Sequence, residues 1–503
     1  MTDTHGIDET GPVPRVAPLS SGDLVQLPDV DGRAPRVALL VYRDADTDSR
    51  VLKTAATLRD AGAEVLIVGS ARDRSGFPAG HATSPDGLPI YRAPDLDLVR
   101  SFSRAARVWR RFRGRDPETG AVRTPEDGTG STATPPAVAQ PARTQPTAED
   151  QLAPRHTTDV AQASPLARAK ALAADAYMRT YQVGRLSYYW LGAVRETRGF
   201  APDAVHANDG NTLAPAMLLK VLDGARIVYD SHELWLRRNV RQDRWLAPAV
   251  EALTERLGVA MSDGIITVSP SIVRWLQDTY RLRVAPSLVR NIPLREGAPP
   301  DPTEGRLREL TGLTSDDRIV SYVGGITTGR GLEETVEALT LLPGNVHLVL
   351  LGFGSPEYVD GLVSLAATRG VGHRMHLAGQ VPGPDVPRTL ADADVAVVFV
   401  RPIVLSYLYS LPNKLFESIH AGLPIVAADL PDTAAVVREH GVGEVFDART
   451  PAELAAAISD VLADPAAFRA ASRRAADRLD WRFEAHELTD LYARVLRGVR
   501  RGR

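Results

Sequence analysis

The residues best suited to chemistry lie in the run SLPNKLFESIHAGLPIVAA, from Ser410 to Ala428. Pro412 followed by Asn413, Lys414, Leu415, Phe416 and Glu417 reads as a helix opening after a loop. The free N–H groups of a helix N-terminus make a ready anion site, and Lys414 in the first turn adds a positive point charge suited to phosphate. Glu417, one turn on, is poorly placed for a phosphate but well placed for a ribose. A carboxylate accepts two hydroxyl hydrogen bonds at once, each worth about 1.5–3 kcal/mol when charge-assisted. A second run, SYVGGITTGRGL at 321–332, carries Gly324 and Gly325, whose missing side chains let the backbone approach a phosphate. Arg330 follows them, either as an anion contact or as a surface residue capping a helix. A third run, VYDSHELW at 228–235, follows an apolar strand, so its polar residues fall at that strand's carboxyl end. The imidazole of His232 can donate to a hydroxyl or help stabilise a cationic centre, while Asp230 and Glu233 read equally well as helix caps.

Other motifs do not hold up. The glycine spacing in GGITTGRG at 324–331 lacks the Lys-Ser/Thr end that a P-loop uses for the γ-phosphate and Mg²⁺. Gly352-Phe353-Gly354 runs into Glu357 where a dinucleotide fingerprint needs its third glycine. Asp-x-Asp strings such as those at 44–46, 95–97 and 392–394 are weak metal signals alone. The eleven histidines show no ligand spacing of the His-Glu-x-x-His kind. No metal and no cofactor are expected.

These residues must be held by elements that the hydrophobic pattern places. Apolar runs at 36–42, 64–68, 204–207, 226–229 and 264–268 alternate with helical stretches, and a second series starts at 318–323 and continues at 347–351, 375–378, 395–399 and 424–427. Strands that are apolar throughout, rather than alternating, belong to parallel sheets buried on both faces. Alternation of strands and helices in two series predicts an α/β fold with two Rossmann-like, doubly wound domains, whose ligands sit at the carboxyl ends of the strands and in the cleft between them. With 503 residues the chain exceeds one core. The expected division is a disordered lead at 1–33, a first domain at 34–295, a second at 306–480 and a final helical segment at 481–503. A disordered insertion is expected at 116–164, where Pro, Thr, Ala, Gly and Gln dominate and apolar anchors vanish.

Composition narrows the classes. Net charge is −3 with both signs interspersed, giving no general field for nucleic acid. There are no cysteines, which excludes disulfides, iron–sulfur clusters and thiol catalysis. No apolar run approaches the roughly 18 residues that span a bilayer, and 1–33 lacks the basic start and apolar middle of a signal peptide. A cytoplasmic protein is expected. Between Arg104 and Arg115, six arginines interleave with Trp109 and Phe112. This is either a solvated helix face or a peripheral contact with an anionic membrane.

Taken together, the sequence resembles the retaining GT-B glycosyltransferases of family 4. The resemblance is carried by Pro412, Lys414, Glu417, Ser418, His420-Ala421-Gly422 and Pro424-Ile425-Val426, by the glycine loop ending at Arg330, and by the Asp-Ser-His-Glu run at 230–233. It implies a GT-B fold with a C-terminal helix crossing back onto the first domain. It also implies a nucleoside-diphosphate sugar as donor, from UDP-, GDP- or another NDP-sugar, with acceptor and oligomeric state left open. Gly324, Gly325, Arg330, Asn413, Lys414, Leu415 and Glu417 would bind the donor, with Glu417 on the ribose and Arg330 and Lys414 on the diphosphate. His232 would face the donor sugar. Asp48 and Arg50, at the start of the first helix, and Asp209 and Asn211, in HANDGNTL, would lie towards the acceptor. For Asp48 a capping role is equally consistent, and for Asn211 capping is favoured. Two positions depart from the family pattern: Tyr409 stands where a second glutamate is usual, and Gly325 replaces an arginine. An inactive nucleotide-sugar-binding scaffold and an epimerase of the same fold are the alternatives.

Overall fold

The computed structural model describes residues 19, 22–43, 45–46, 48–72, 76–96, 165–239, 247–295, 297–447, 450–497 and 499, with backbone alone for 165–180 and 182. The insertion expected at 116–164 and the basic stretch Arg104–Arg115 lie outside the described residues. Contacts divide the chain into two units, Met1–Pro94 with Tyr189–Arg503, and Asp95–Tyr188. In the smaller unit Arg185 is ion-paired with Asp95 and the Tyr181 hydroxyl donates to the Leu96 carbonyl at 3.0 Å.

The larger unit contains two α/β lobes. The first is built from β1 (Arg36–Leu40), α1 (Ser49–Asp60), β2 (Glu64–Ser70), β3 (Gly80–Thr83), β4 (Pro89–Ala93), the long helix α2 (Pro165–Phe200), β5 (Ala204–Asn208), α3 (Leu213–Asp223), β6 (Arg226–Ser231), α4 (Ala247–Met261), β7 (Gly264–Thr267), α5 (Pro270–Tyr280) and β8 (Ser287–Leu288). Its eight strands lie in the order β3-β4-β2-β1-β5-β6-β7-β8, parallel throughout except for the antiparallel edge pair β3–β4. The second lobe follows with α6 (Leu307–Thr311), β9 (Arg318–Val323), α7 (Leu332–Leu339), β10 (Val346–Leu351), α8 (Pro356–Thr368), β11 (Met375–Gly379), α9 (Val386–Leu390), β12 (Val395–Val398), α10 (Leu405–Leu408), α11 (Asn413–His420), β13 (Ile425–Ala428), α12 (Pro431–His440), β14 (Gly443–Phe446), α13 (Pro451–Ala463) and α14 (Pro465–Ala476). Its six strands run in the order β11-β10-β9-β12-β13-β14, all parallel.

The local reasons are readable. Strand β5 (AVHAN) is buried at every position, as expected of a strand covered on both faces. Helix α1 starts where the Asp48 carboxylate accepts from the N–H groups of Arg50 and Val51. On one side of the second sheet Val336, Leu348, Leu454 and Ile458 share a core, and on the other Ile319, Val349, Leu415 and Ile419 share another.

The last helix, α15 (Trp481–Leu496), returns to the first lobe. Its Trp481, Leu488, Tyr492 and Leu496 join the core that holds Leu39, Leu52, Leu58 and Ile67. Trp481 N–H donates to the Pro293 carbonyl at 3.2 Å, its indole Nε1 donates to Thr57 Oγ1 at 3.0 Å, and Arg290 pairs with the buried Glu484 at 2.6 Å. The lead expected to be disordered over 1–33 needs correction from residue 22 onward. Leu24, Leu27 and Val30, spaced by three, are buried in this same core. Leu27 N–H donates to the Ala61 carbonyl and Val25 N–H to Thr489 Oγ1, each at 3.0 Å. The Pro, Gly and Asp content hid three apolar anchors that pack into this core, beside the C-terminal end of α1 and the middle of α15.

Trp481 is fully buried, and a core Trp→Ala change costs about 3–5 kcal/mol. Trp481→Ala is expected to lower unfolding free energy by that amount in urea titrations, whereas a loss under about 1 kcal/mol would mean that the return of α15 adds little to the fold.

Candidate active site

On the second lobe, α11 begins at Asn413 after Pro412, which supplies no side-chain cap. Lys414 is 7% exposed, and its Nζ has no hydrogen-bond partner. The ammonium lies 3.6 Å from the centre of the Tyr322 ring, and Arg330 stands over the Tyr407 ring at 5.1 Å. Aromatic faces favour a cation without neutralising it. Burial, and then the Arg330 charge, hold the Lys414 pKa well below that of an ordinary lysine. A buried cation beside a second cation is costly unless a counter-charge arrives. Gly324, at φ +117°, is the near wall: a Cβ there would stand 3.9 Å from Lys414 Cε. At Gly325 a Cβ would meet nothing within 4 Å, so no steric reason excludes a side chain where the family pattern has arginine.

Asn413 is exposed at the helix start. Leu415, expected on the donor side with it, is fully buried, and its N–H goes to the Pro412 carbonyl at 3.0 Å. It anchors the turn in the core rather than facing a ligand. Glu417, one turn along, is pushed up to about 7 by burial, against the opposing charges of Lys414 and Lys53.

On the first lobe, Asp230 at the end of β6 is fully buried and collects several donors. Arg50 reaches it through Nε to Oδ2 and Nη2 to Oδ1, both at 2.8 Å, and its Nη1 donates to the Val289 carbonyl at 2.8 Å. His206 Nε2 and His232 Nε2 each lie 3.2 Å from Asp230 Oδ2. Burial disfavours the Asp230 charge, yet Arg50 and the two imidazoles keep its pKa well below the usual carboxylate range. His232 Nδ1 faces Asp209 Oδ2 at 3.5 Å, and its backbone N–H donates to Asp209 Oδ1 at 3.2 Å. Although burial works against the imidazolium, Asp209 and Asp230 raise the His232 pKa to about 9. Asp209 itself has φ +60° and ψ 169°, an unfavourable conformation for a residue with a Cβ, and such strain concentrates at functional sites.

Between these groups the lobes touch. Ser406 Oγ, on α10, donates to Glu233 Oε2 at 3.3 Å, and Ser269 Oγ, at the start of α5, donates to the Tyr409 carbonyl at 2.8 Å. The Ser271 hydroxyl donates to Asp432 Oδ1 at 3.0 Å. The Tyr409 ring packs with Leu234, Ile272 and Leu276, so this departure from the family pattern turns a polar position into part of the apolar seam.

The structure brings Gly324, Arg330, Lys414 and Glu417 together on one lobe and His232 with Asp209 on the other. The acceptor-side assignments of Asp48 and Arg50 need correction. Asp48 caps α1, and Arg50, 3% exposed, is spent inside the first lobe on Asp230 and Val289. Asn211 lies in the 3-10 turn Gly210–Thr212 and offers its backbone carbonyl to Trp190 Nε1 at 2.7 Å. Reasoning from sequence missed Lys53, whose Nζ donates to the Ile292 carbonyl at 2.6 Å and sits 4.5 Å from the Trp481 ring. Burial, then Arg50, lower its pKa to about 7, with Glu417 the largest opposing charge. Its signal was present: Arg50 and Lys53 are three apart on the buried face of α1. Glu233, for which a cap is one of two readings from sequence, is pushed up to about 7 by burial and by Asp209.

Two parallel-sheet lobes joined by a returning C-terminal helix, with cations at a helix mouth on one and a charged histidine at a strand end on the other, define the GT-B architecture. Comparison with known proteins agrees. Residues 304–478 match the family described as Glycosyl transferases group 1, and 138–294 match the Glycosyl transferase 4-like domain. A D-inositol 3-phosphate glycosyltransferase of Thermobispora bispora is 26% identical over 343 residues, covering 63% of this chain and 77% of the relative. Among solved structures, sucrose-phosphate synthase from Thermosynechococcus elongatus superposes with a TM-score of 0.61 at 16% identity, covering 91% of this chain and 98% of its own. HepE of Anabaena, solved in complex with UDP, superposes with a TM-score of 0.55 at 12% identity, covering 91% and 97%. The chain is a GT-B glycosyltransferase whose second lobe, over residues 304–478, matches the group 1 family.

Two outcomes follow from the ionic hub. Arg50→Ala leaves Asp230 buried without its main counter-charge, and breaking a buried pair costs about 3–5 kcal/mol. A loss of that size is expected in chemical denaturation. His232 has a folded pKa above its ordinary 6.5, so its contribution to stability is fully present below about pH 6.5 and disappears as pH rises through about 9. The stability advantage of the wild type over His232→Gln should therefore shrink across that window in urea midpoints, and a gap that widens with pH would contradict the charged imidazolium.

Proposed function

We propose that this glycosyltransferase takes its sugar from a nucleoside-diphosphate donor, retains the anomeric configuration and needs no divalent metal. The observation that carries the proposal is the buried Lys414 ammonium without a hydrogen-bond partner, beside Arg330 at the mouth of α11. A diphosphate there supplies the missing counter-charge, with Lys414 and Arg330 on its oxygens and the backbone at Gly324 and Gly325 close enough to pack on it. Glu417, ionised by contact with two hydroxyls, takes the ribose. HepE, of the same fold, is solved with UDP, which supports a nucleotide as part of the donor.

In the reaction the C1–O bond to the diphosphate breaks, and negative charge grows on the departing oxygen as C1 takes on oxocarbenium character. Fixed cations aimed at that oxygen stabilise the transition state more than the ground state. The acceptor hydroxyl attacks C1 and its proton passes to the departing phosphate oxygen, so no protein nucleophile is required. His232 and Asp209 border the sugar from the first lobe. Among the described residues no group of three or more His, Asp or Glu side chains could hold a metal. The acceptor is a cell-envelope polysaccharide, glycolipid or secondary metabolite, made at the cytoplasmic side. No described helix is long and apolar enough to cross a membrane.

Tyr409 favours a second reading, a protein that binds the nucleotide sugar without turning it over, because its ring is built into the seam. One experiment tests both. UDP, GDP and other nucleoside diphosphates, with EDTA present, are expected to raise the melting temperature of the wild type, one of them at micromolar concentration. Lys414→Ala should abolish the shift, and Gly325→Arg should enlarge it by restoring a cation where space is open. Stabilisation without release of free nucleotide from any sugar donor would select the binding protein; no stabilisation by any nucleotide would reject both.

A further inference from the structure

The buried hub around Asp230 holds more than the ion pair with Arg50 needs. Both Asp230 oxygens already receive the Arg50 guanidinium at 2.8 Å. Yet His206, from the middle of β5, places its Nε2 3.2 Å from Oδ2, and its Nδ1 lies 2.8 Å from the hydroxyl of Tyr492 on α15. All three residues are fully buried. An apolar side chain on β5 facing an apolar one on α15 would avoid the desolvation cost of this polar pair. The protons in the chain have only one arrangement. Burial holds His206 below its ordinary pKa and so neutral, and burial keeps the Tyr492 phenol protonated. The Asp230 carboxylate can only accept, so the single imidazole proton of His206 sits on Nε2. Nδ1 is left to accept the Tyr492 O–H.

We propose that Tyr492 and His206 are positioning residues for His232: the crossing helix, through Tyr492 and His206, fixes Asp230 Oδ2 at the point from which it orients the His232 ring in the cleft. The proposal rests on the assignment of His232 to the sugar side of the reaction. Asp230 Oδ2 is the shared atom: His206 Nε2 hydrogen-bonds it at 3.2 Å, and His232 Nε2 stands 3.2 Å from it as a charge contact outside hydrogen-bond geometry. The other charged groups facing His232 are Asp209, whose Oδ2 is 3.5 Å from Nδ1, and Arg50, whose charge opposes that of the imidazolium. Neither depends on Tyr492. Loss of the tyrosine hydroxyl frees His206 to change tautomer or rotate. An unprotonated Nε2 then repels Oδ2, and the carboxylate loses one of the contacts that set its direction. His232 is thereby tied to the helix that returns from the second lobe to the core of the first.

The test is a double-mutant cycle in the full-length protein, with donor turnover as the readout. Tyr492→Phe is expected to lower kcat about 5- to 20-fold with donor KM unchanged. In a His232→Gln background, itself impaired, the same change should leave kcat within about 2-fold. His206→Gln, whose amide nitrogen can take the place of Nε2 and donate to Asp230, should keep more activity than His206→Leu at equal or lower thermal stability. An equal loss from Tyr492→Phe in both backgrounds, or indistinguishable kcat for His206→Gln and His206→Leu, would overturn the positioning role while leaving the role of His232 intact. Full kcat in His232→Gln alone would instead remove the assignment of His232, and the proposal with it.

Discussion

The first lobe is organised around the buried ion pair of Arg50 and Asp230. It ties the first turn of α1, which follows β1, to the carboxyl end of β6, two strands across the sheet. Neither charge is accessible, so each is tolerable only because the other is present and because both Asp230 oxygens and the guanidinium are hydrogen-bonded. The pair also sets what its neighbours can be. Burial holds His206 below its ordinary pKa, His232 is drawn towards the charged form, and Asp209, on the other side of the ring, accepts from the N–H of His232 while its backbone takes an unfavourable conformation.

The second lobe is built on the opposite principle. Its buried cation, Lys414, is left without a hydrogen-bonded anion, and the nearest aid comes from aromatic faces. A fold selected for stability alone would place a carboxylate in reach or replace the lysine. Leaving the charge open lowers stability where a ligand is to bind, the usual trade at working sites. The contrast assigns duties: a neutralised hub that orients on one lobe, an unneutralised grip on the other.

Much of this was legible in the sequence, and the exceptions have a common cause. Uniformly apolar strands, the glycine loop and the Pro-x-Lys-x-x-Glu opening of α11 each act through local rules, so the two sheets and the cluster of Gly324, Arg330, Lys414 and Glu417 could be read directly. The errors fall where a long-range partner decides the outcome. Arg50 looked like a ligand residue because nothing in its neighbourhood announces Asp230, 180 positions away. Lys53 and Glu233 were passed over because their partners, Ile292 and Ser406, come from distant segments. Leu24, Leu27 and Val30 were lost in a polar context because their counterpart surface includes a helix from the other end of the chain.

One coupling crosses the seam without a hydrogen bond. Burial shifts Lys53 on α1 down and Glu417 on α11 up, each to about 7; Glu417 is the largest opposing charge on Lys53, and Lys53 opposes the shift of Glu417 after Lys414. The charge of each favours ionisation of the other. A ligand that hydrogen-bonds the Glu417 carboxylate holds it ionised and so raises the affinity of Lys53 for its proton. Linkage requires the reverse as well: a protonated Lys53 strengthens whatever Glu417 binds. Lys53 also donates to the Ile292 carbonyl, in the segment between the lobes, and faces Trp481 at the start of the returning helix. The carboxylate proposed to take the ribose is thus within the electrostatic reach of a lysine bonded to the segment between the lobes.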